Sequence, residues 1–558
     1  MLQDTDLVSV QEVRTKVDRA FAAFHEYRKF TQEQVDAIIE AMASAARAES
    51  PRLAELAVQE TGYGNVPSKL AKNLLCSDLL PRRIRGLRTI GVIAERKEEK
   101  IIEIAEPVGV VAAILPTTNP TSTAIYKTII ALKSGNAIVL SPHPRAKSCT
   151  CATVDVLHRA AVGAGAPSDL IQCINNATME GTNALMRHAR TGVILSTGGS
   201  GIVRAAYSSG KPAFGVGPGN VPVCIEQSAE IAEAVRKVVE GKSFDYGTVC
   251  SSEQAIVTLH TLRDKVLAEL KARKAYLCSA EQGKALAKVL LNDKLVVNAD
   301  CVGQPPQKIA QMAGFQVPPE TTILAVEIEG IGKQHPLSAE KLSPVLALHF
   351  VPDFAACVDA CEAILKFGGL GHTCVIYSQD DARILEYARR MPAFRVLVNT
   401  PAPQGSTGIT TNVPPAMTLG CGAIAGNITS DNIGPMHLLN IKRVAYEVRT
   451  AEEAFPMPSQ DAPAARGAIV SAVEKYLANR GLTVAKPPAS TLAASVVDRF
   501  LNDRRGPVPA APASPSTCGS CPPAAPIAAP PVPSPAPASA ASVPIVDFVC
   551  EDDVRVAM

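Results

Sequence analysis

The sequence predicts an α/β protein built on a doubly wound parallel sheet. Short apolar segments, such as 106–115 and 136–140, are typical of strands that are buried on both faces. Helical patterns, such as 122–132, separate these segments, and polar residues follow the strands directly. In such folds the ligand binds at the carboxyl ends of the strands, so we expect a site at that edge.

The N-terminal part is predicted to be a helical scaffold. Apolar residues recur at helical spacing over 9–48. Within this stretch Thr31, followed by Glu33, marks the start of a second helix. The segment 97–105 instead predicts a β-strand, in an edge or arm that pairs outside the main core.

Composition indicates a cytoplasmic protein of enzyme size. The 558 residues are 47% hydrophobic and 19% charged, and their net charge of +2 provides no bulk attraction to nucleic acid or to an anionic membrane. The N-terminus lacks the features of a signal peptide, and no apolar run is long enough to span a bilayer. The 15 cysteines are scattered, which favours reduced thiols over a disulfide framework.

Two polar features follow the first buried strands. Asn119 lies between two prolines on a rigid turn, where its amide either donates to an oxyanion or satisfies turn carbonyls. His143 and Arg145 belong to a small basic cluster that suits a ribose or a phosphate. As an isolated charge run, such a cluster is more often a solvated loop.

Two glycine-containing turns come later in the chain. Residues 192–206 predict a strand, a Gly-rich turn and a helix whose N-terminus favours an anion such as a pyrophosphate. The spacing matches neither the Walker pattern nor G-x-G-x-x-G, so this signal is weak alone. Gly247 opens a turn that carries Cys250, whose thiol is well placed there to attack a carbonyl. For any one of the cysteines, a small buried hydrophobe is the alternative.

In their order along the chain these motifs resemble the aldehyde dehydrogenase superfamily, specifically its coenzyme A-acylating branch. That branch includes the aldehyde half of the aldehyde–alcohol dehydrogenases and the propionaldehyde and acetaldehyde dehydrogenases of bacterial microcompartments. The segments that carry the resemblance are 107–111, 116–122, 141–147, 196–199, 207–212, 215–220, 244–254, 340–345, 369–373 and 418–422. It implies the aldehyde dehydrogenase fold, with a doubly wound cofactor-binding domain, a second α/β catalytic domain and a β oligomerisation arm.

The resemblance also implies roles for individual residues. Cys250 would be the nucleophile, and Asn119 would form the oxyanion hole together with the Cys250 N–H. The cofactor would be NAD, held by Ser141, His143, Ser196, Thr197, Gly198, Gly199 and Glu340. Further candidates for the site are Thr118, Gly217 and His372. No metal ion is expected.

One departure from the hydrolytic members of the superfamily is informative. Those enzymes carry a glutamate, in a Glu-Leu-Gly-Gly pattern, that activates water, whereas the corresponding stretch 215–219 has no carboxylate. The thiol of coenzyme A is a better nucleophile than unactivated water. We therefore expect an aldehyde, NAD and coenzyme A to give acyl-coenzyme A and NADH through a cysteine thioester.

Two other functions stay open at this point: a hydrolytic dehydrogenase that releases free acid, and a non-catalytic scaffold associated with a shell. The substrate is expected to be a short aliphatic aldehyde, either propanal or acetaldehyde. Sulfoacetaldehyde, butanal and a preference for NADP stay open too.

The resemblance divides the chain into domains. Residues 1–225 are expected to form the cofactor-binding domain and residues 226–415 the catalytic domain. Residues 416–455 are expected to return to the first domain. There, a strand that starts near residue 434 would pair with a neighbouring subunit in a homodimer or homotetramer.

Beyond residue 455 the composition changes. The tail divides into a helical extension (456–505), a Pro/Ala-rich linker (506–540) and a terminal segment (541–558). Amphipathic helices are predicted over 464–479 and 491–502, and the Cys518 and Cys521 pair is a weak metal signal. The terminal segment resembles the encapsulation peptides that dock cargo to microcompartment shell proteins. The predicted location is therefore the lumen of a bacterial microcompartment, and a tail that packs on its own enzyme is the alternative.

Overall fold

The computed structural model of the chain describes residues 4–455 and six residues between Ser471 and Asn479. Apart from those six residues, the predicted helical extension, the linker with Cys518 and Cys521, and the terminal segment 541–558 lie outside the described residues. Residues 1–450 form one compact unit, and a second unit begins at Ala451.

The described part of the chain has three β-sheets. The strands are β1 (Val92–Arg96), β2 (Ile101–Pro107), β3 (Val110–Ile114), β4 (Ala137–Ser141), β5 (Ile171–Cys173), β6 (Thr191–Thr197), β7 (Ala213–Val216), β8 (Val221–Ile225), β9 (Glu253–Leu259), β10 (Tyr276–Leu277), β11 (Leu324–Glu327), β12 (Val345–Val351), β13 (Gly371–Tyr377), β14 (Ala393–Val398) and β15 (Leu439–Ala445).

The α-helices precede, connect and cover these strands. They are α1 (Thr5–Tyr27), α2 (Gln32–Thr61), α3 (Val66–Leu74), α4 (Leu80–Ile84), α5 (Pro120–Lys133), α6 (Lys147–Gly163), α7 (Met179–Arg187), α8 (Ser200–Tyr207), α9 (Ile231–Ser243), α10 (Arg263–Ala272), α11 (Ala280–Leu290), α12 (Pro306–Met312), α13 (Phe354–Gly368), α14 (Asp381–Arg390), α15 (Ala402–Ser406) and α16 (Ala451–Ala454).

The two N-terminal helices confirm the helical prediction for 9–48. Thr31 caps α2, and Gln34 completes a capping box by accepting from the Thr31 N–H. Helix α2 runs on to Thr61, well beyond the predicted end. Among the described residues, no helix is both long enough and apolar enough to cross a membrane.

The first large sheet has five parallel strands in the order β5-β4-β3-β6-β7. Strand β3 is buried throughout, as the apolar segment predicted. However, the predicted strand 106–115 is divided in two. Gly109 adopts a positive φ of 109°, so β2 ends before it and β3 begins after it.

The second large sheet has seven parallel strands in the order β10-β11-β12-β9-β8-β13-β14. Strand β8 belongs to this sheet, so the predicted domain boundary at residue 225 falls one strand too late. Apolar side chains from α9 and α13 cover the sheet in two separate core clusters. Both large sheets are therefore parallel α/β layers, as the sequence predicts.

A third, antiparallel sheet joins β1, β2 and β15. The strand predicted near residue 434 begins only at Leu439, because Pro435–Leu438 form a 3₁₀ turn. Strand β15 pairs with β2 of the same chain, and its predicted pairing with another subunit stays a prediction. Ala416, Leu419 and Leu438 pack in the core of the five-stranded sheet, and the return of 416–455 to the first domain stays a prediction.

Candidate active site

A cavity of about 860 Å³ lies at the carboxyl ends of β3, β4 and β6 and beside the turn before β9. Its lining brings together most of the predicted site residues: Thr118, Asn119, Ser141, His143, Thr197, Gly198, Gly199, Gly217, Cys250 and Glu340. Among the described residues that line the cavity, Glu340 is the one carboxylic acid. Ser196 and His372 do not line it.

Cys250 is presented by a tight turn between α9 and β9. Asp245, Tyr246 and Gly247 all adopt positive φ, at 50°, 50° and 73°. A Cβ atom at Gly247 would lie 2.6 Å from the Ser343 carbonyl oxygen, so this position needs glycine for space as well as for conformation. The half-buried Cys250 follows the turn and faces the cavity.

His372 is the nearest polar neighbour of the Cys250 thiol. Its Nε2 lies 3.2 Å from Cys250 Sγ, and its Nδ1 lies 3.0 Å from Thr373 Oγ1. Burial, helped by the Arg395 cation, holds the pKa of His372 well below its usual value, so the imidazole is neutral. A neutral imidazole with a free nitrogen at this distance is able to accept the thiol proton.

Burial also governs the thiol and the cavity carboxyl. It raises the pKa of Cys250 to about 12, and Glu340 adds to this effect. Burial raises the pKa of Glu340 to about 8, against the hydrogen bond of 3.1 Å that its Oε1 accepts from the Gly219 N–H. At neutral pH both groups are therefore mostly protonated, and the thiol needs a proton acceptor before it can attack.

Asn119 lies immediately before α5, where it is buried and lines the cavity. Its Nδ2 donates to Thr118 Oγ1 at 3.1 Å, and its Oδ1 accepts from the Lys72 ammonium. The amide nitrogen thus lies on the cavity side, and the alternative role of satisfying turn carbonyls is not observed. The site combines a thiol, a neutral base and an amide donor, which is a set suited to acyl transfer.

The relatives of this chain agree with that chemistry. A family model described as the aldehyde dehydrogenase family matches residues 2–286. A solved acetylating aldehyde dehydrogenase from Geobacillus thermoglucosidasius is 48% identical, and the match covers 82% of this chain and all of that chain with a TM-score of 0.80. The chain belongs to the aldehyde dehydrogenase family. The predicted resemblance and the predicted α/β fold with parallel sheets are therefore confirmed, while the oligomerisation role of the arm stays a prediction.

Other relatives show how widely the family extends. The bifunctional aldehyde–alcohol dehydrogenase AdhE of Escherichia coli is 45% identical over 79% of this chain and 50% of its own length, so the chain spans about half of that protein. The acetylating succinate-semialdehyde dehydrogenase of Clostridium kluyveri is 33% identical over 96% of its length. A propionaldehyde dehydrogenase from a fucose utilisation microcompartment of Clostridium phytofermentans is 26% identical, with 79% of this chain and 98% of that chain covered and a TM-score of 0.70.

Family members use a nicotinamide cofactor, and the turn after β6 fits its pyrophosphate. Gly199 has open space where a Cβ would stand, and Gly198 and Gly199 lead into the first turn of α8. Thr197 is one of the residues that line this part of the cavity, and its buried Oγ1 has no hydrogen-bond partner among the described residues. A hydroxyl without a partner, beside a glycine turn, is typical of a site that binds a phosphate group.

The remaining predicted cofactor residues divide into two groups. Ser141 and His143 lie on the cavity wall after β4, where Ser141 Oγ contacts Thr182 Oγ1 at 3.0 Å. Arg145 lines the same wall, so the basic cluster faces the cavity in part. By contrast, the Ser196 side chain is fully buried and does not reach the cavity, so it is removed from the candidate ligands.

Buried ionic residues near the cavity were not predicted from the sequence. Lys69, Lys72 and Asp245 lie behind Asn119, and Lys242 and Lys341 lie beside Glu340. Charged residues in helical segments are normally solvated, so no local signal marked them as buried. The described residues contain no group of three or more side chains able to hold a metal ion.

Proposed function

We propose that this protein is a coenzyme A-acylating aldehyde dehydrogenase, which oxidises a short aliphatic aldehyde with NAD and transfers the acyl group to coenzyme A. The observation that carries the proposal is the cavity itself. Cys250 and Asn119 face it, and Glu340 is the one carboxylic acid among its described lining residues. The similarity to acetylating relatives supports the same reaction.

In the first half-reaction Cys250 attacks the aldehyde carbonyl carbon. The thiol proton moves to His372 Nε2, the new C–S bond forms, and the carbonyl π electrons become an alkoxide. Asn119 Nδ2 and the Cys250 N–H donate to this alkoxide. A bound nicotinamide supplies the acceptor for the hydride. Loss of that hydride re-forms the C=O bond and leaves an acyl-Cys250 thioester.

In the second half-reaction the thiol of coenzyme A attacks the thioester carbonyl. His372, once it has released the first proton to solvent, accepts the proton of that thiol. The Cys250 thiolate leaves with the electrons of the broken C–S bond and takes this proton back. Water competes poorly, because the stretch 215–219 offers no carboxylate to deprotonate it. The same oxyanion donors serve both half-reactions.

A hydrolytic reaction is the competing proposal, in which Glu340, the one carboxylic acid on the described cavity wall, would be the base. Burial raises the pKa of Glu340 to about 8, so this carboxyl would be a base mainly in alkaline solution. The two reactions are separated by following NADH formation with and without coenzyme A. We expect one NADH per active site without coenzyme A and continuous turnover with it. Sustained turnover without coenzyme A would reject the acylating reaction.

Replacing the nucleophile tests whether the cavity is catalytic at all. The Cys250→Ala variant is expected to form no acyl-enzyme and no NADH, while NAD still protects it against thermal unfolding. Mass spectrometry of the protein mixed with aldehyde and NAD would detect the acyl adduct on wild type alone. An unaltered burst in the variant would remove Cys250 from its proposed role, whereas a wild type without a burst would favour the non-catalytic scaffold.

Two further parts of the proposal specify the aldehyde substrate and the location of the enzyme in the cell. We propose propanal or acetaldehyde as the substrate, because the cavity lining includes the apolar side chains of Val249, Met417 and Leu419, which suit a short aliphatic chain. We propose that segment 541–558 docks the enzyme to microcompartment shell proteins, an idea supported by the fucose-microcompartment relative and by the amphipathic sequence of the segment. Fluorescent protein fused to 541–558 should form puncta in compartment-forming cells, with 464–505 as the alternative docking segment. Diffuse fluorescence for both fusions would reject shell docking.

A further inference from the structure

Behind Asn119 lies a buried Lys–Asp–Lys cluster that the reaction scheme does not use. Lys69 and Lys72 come one turn apart on α3, and both ammonium groups contact Asp245 Oδ2, Lys69 at 2.8 Å. Each of the three side chains is no more than 2% exposed. Asp245 itself lies in the turn that presents Cys250.

Asp245 ties two parts of the site together. Its Oδ1 accepts from the Asn65 N–H at 3.0 Å, and its own N–H donates to Ser68 Oγ at 2.9 Å, so the start of α3 is fixed to the turn. Thr248, two residues before Cys250, donates its hydroxyl to Asp245 Oδ2. The carboxylate therefore connects α3 to the nucleophile turn.

The second lysine is difficult to explain by stability alone. Lys69 already provides one positive charge for the single carboxylate. Burial lowers the pKa of Lys72 to about 7, and a protonated Lys72 leaves the cluster with a net positive charge in the protein interior. A buried, uncompensated cation is unfavourable. What Lys72 gains is a second contact, the hydrogen bond to Asn119 Oδ1.

That hydrogen bond determines which way the Asn119 amide faces. An ammonium group only donates, so the atom that meets Lys72 must be the amide oxygen. The amide nitrogen then lies on the cavity side, where one N–H donates to Thr118 Oγ1. In the described part of the chain the second N–H has no acceptor and is left for an oxyanion.

We propose that Lys72 is a positioning residue, which orients the Asn119 amide toward the oxyanion and is itself fixed by Asp245. The positive charge on Lys72 also polarises the amide, which strengthens the N–H that faces the developing alkoxide. This inference rests on the proposed function, because it assigns the oxyanion to Asn119. Lys69 contacts the Thr118 carbonyl oxygen and Asp245 but not Asn119, so it provides a matched control.

Two measurements on the full-length protein separate positioning from a collapsed site. The first is the rate of the NADH burst with aldehyde and NAD but without coenzyme A, which requires the alkoxide. The second is alkylation of Cys250 by iodoacetamide without cofactor, which forms no alkoxide. We expect Lys72→Met to slow the burst about 100-fold, the size of a lost oxyanion donor. Alkylation should stay within about twofold of wild type, since the thiol is untouched.

The double variant tests whether Lys72 acts through Asn119. If it does, Lys72→Met with Asn119→Ala should have the same burst rate as Asn119→Ala alone, because the amide is already gone. The burst of Lys69→Met should be at least about tenfold faster than the burst of Lys72→Met. The proposal would be overturned if the two reductions in burst rate multiply in the double variant. It would also be overturned if Lys72→Met lowers the burst rate and the alkylation rate by the same factor.

If Lys72→Met does not yield folded protein, Lys72→Arg takes its place. The guanidinium keeps the charge opposite Asp245 but cannot place a donor at the same point, so the same comparison with Asn119→Ala applies. A wild-type burst rate in Lys72→Arg, with a slow burst in Asn119→Ala, would also overturn the proposal. A wild type with no burst would instead reject the proposed function, which keeps the two failures distinguishable.

Discussion

The buried acids near the cavity form two groups that differ in ionisation at neutral pH. On one side Asp245 contacts both Lys69 and Lys72, and on the other Glu253 and Glu340 each accept one backbone N–H. Burial acts to raise the pKa of Asp245, but the two ammonium groups bring it below its usual value. Burial raises the pKa of Glu253 and of Glu340 to about 8.

The difference depends on contact and not on the mere presence of a cation. Lys242 acts on both glutamates, but its ammonium donates to Gln254 Oε1 at 3.3 Å, and burial outweighs its charge at each of them. A cation at hydrogen-bond distance keeps a buried carboxyl group ionised, whereas a more distant cation leaves it protonated. One side of the site is therefore ionic at neutral pH and the other neutral.

The largest expected effect comes from neutralising the ionic side. Asp245→Asn leaves two buried ammonium groups without a counter-charge, and we expect the free energy of unfolding to fall by about 3–5 kcal/mol. Glu253→Gln is the matched control, since it replaces an acid that is already protonated at pH 6. Urea denaturation at that pH should show no loss of stability for the control. Equal losses in the two variants would contradict the difference in charge state.

A second effect concerns the pH dependence of stability. The folded pKa of Glu253, about 8, lies above the ordinary value of 4.5, so the unfolded chain releases this proton first as pH rises. The stability contributed by the protonated acid is therefore complete below about pH 4.5 and is lost as pH rises to about 8. Glu253→Gln should gain stability relative to wild type across this range, measured by urea midpoints.

The contribution of Asp245 to stability depends on pH in the opposite direction. Its folded pKa is depressed, so its contribution is present above the ordinary pKa of the side chain and is lost as pH falls through the folded value. The part of the difference between Asp245→Asn and wild type that comes from this carboxylate should therefore shrink in acid. Because burial lowers the pKa of Lys72 to about 7, deprotonation of this lysine shrinks the difference in alkali as well. A difference that stays constant in acid would contradict the assignment of Asp245.

The smallest expected effect concerns thiol reactivity. An ionised Glu340 raises the pKa of Cys250, but Glu340 ionises only near pH 8. In Glu340→Gln, iodoacetamide should therefore alkylate Cys250 at the wild-type rate below pH 8, and about two- to fivefold faster above it. Glu253→Gln should follow wild type throughout. A rate difference already present at pH 6 would mean that Glu340 is ionised there.

Much of the architecture could be predicted from local sequence. Apolar segments with the length of strands predicted both parallel sheets, because a strand buried on both faces carries no polar residue. Thr31 predicted the start of α2 for a local reason too, since a cap depends on neighbours within one turn. The errors fell at junctions: Gly109 divides a predicted strand, and β8 joins the other sheet. Strand membership is decided by partners distant in the chain.

For the site, the sequence by itself determined the residues that carry recognisable chemistry. Cys250, Asn119 and Glu340 were predicted from motifs, and the structure brings all three to one cavity. Only the tertiary structure decided their states. It placed His372 against the thiol, removed Ser196 from the wall, and buried Lys72 beside Asn119. A charge state depends on burial and on contacts made across the fold, and neither of these is encoded in the spacing of a motif.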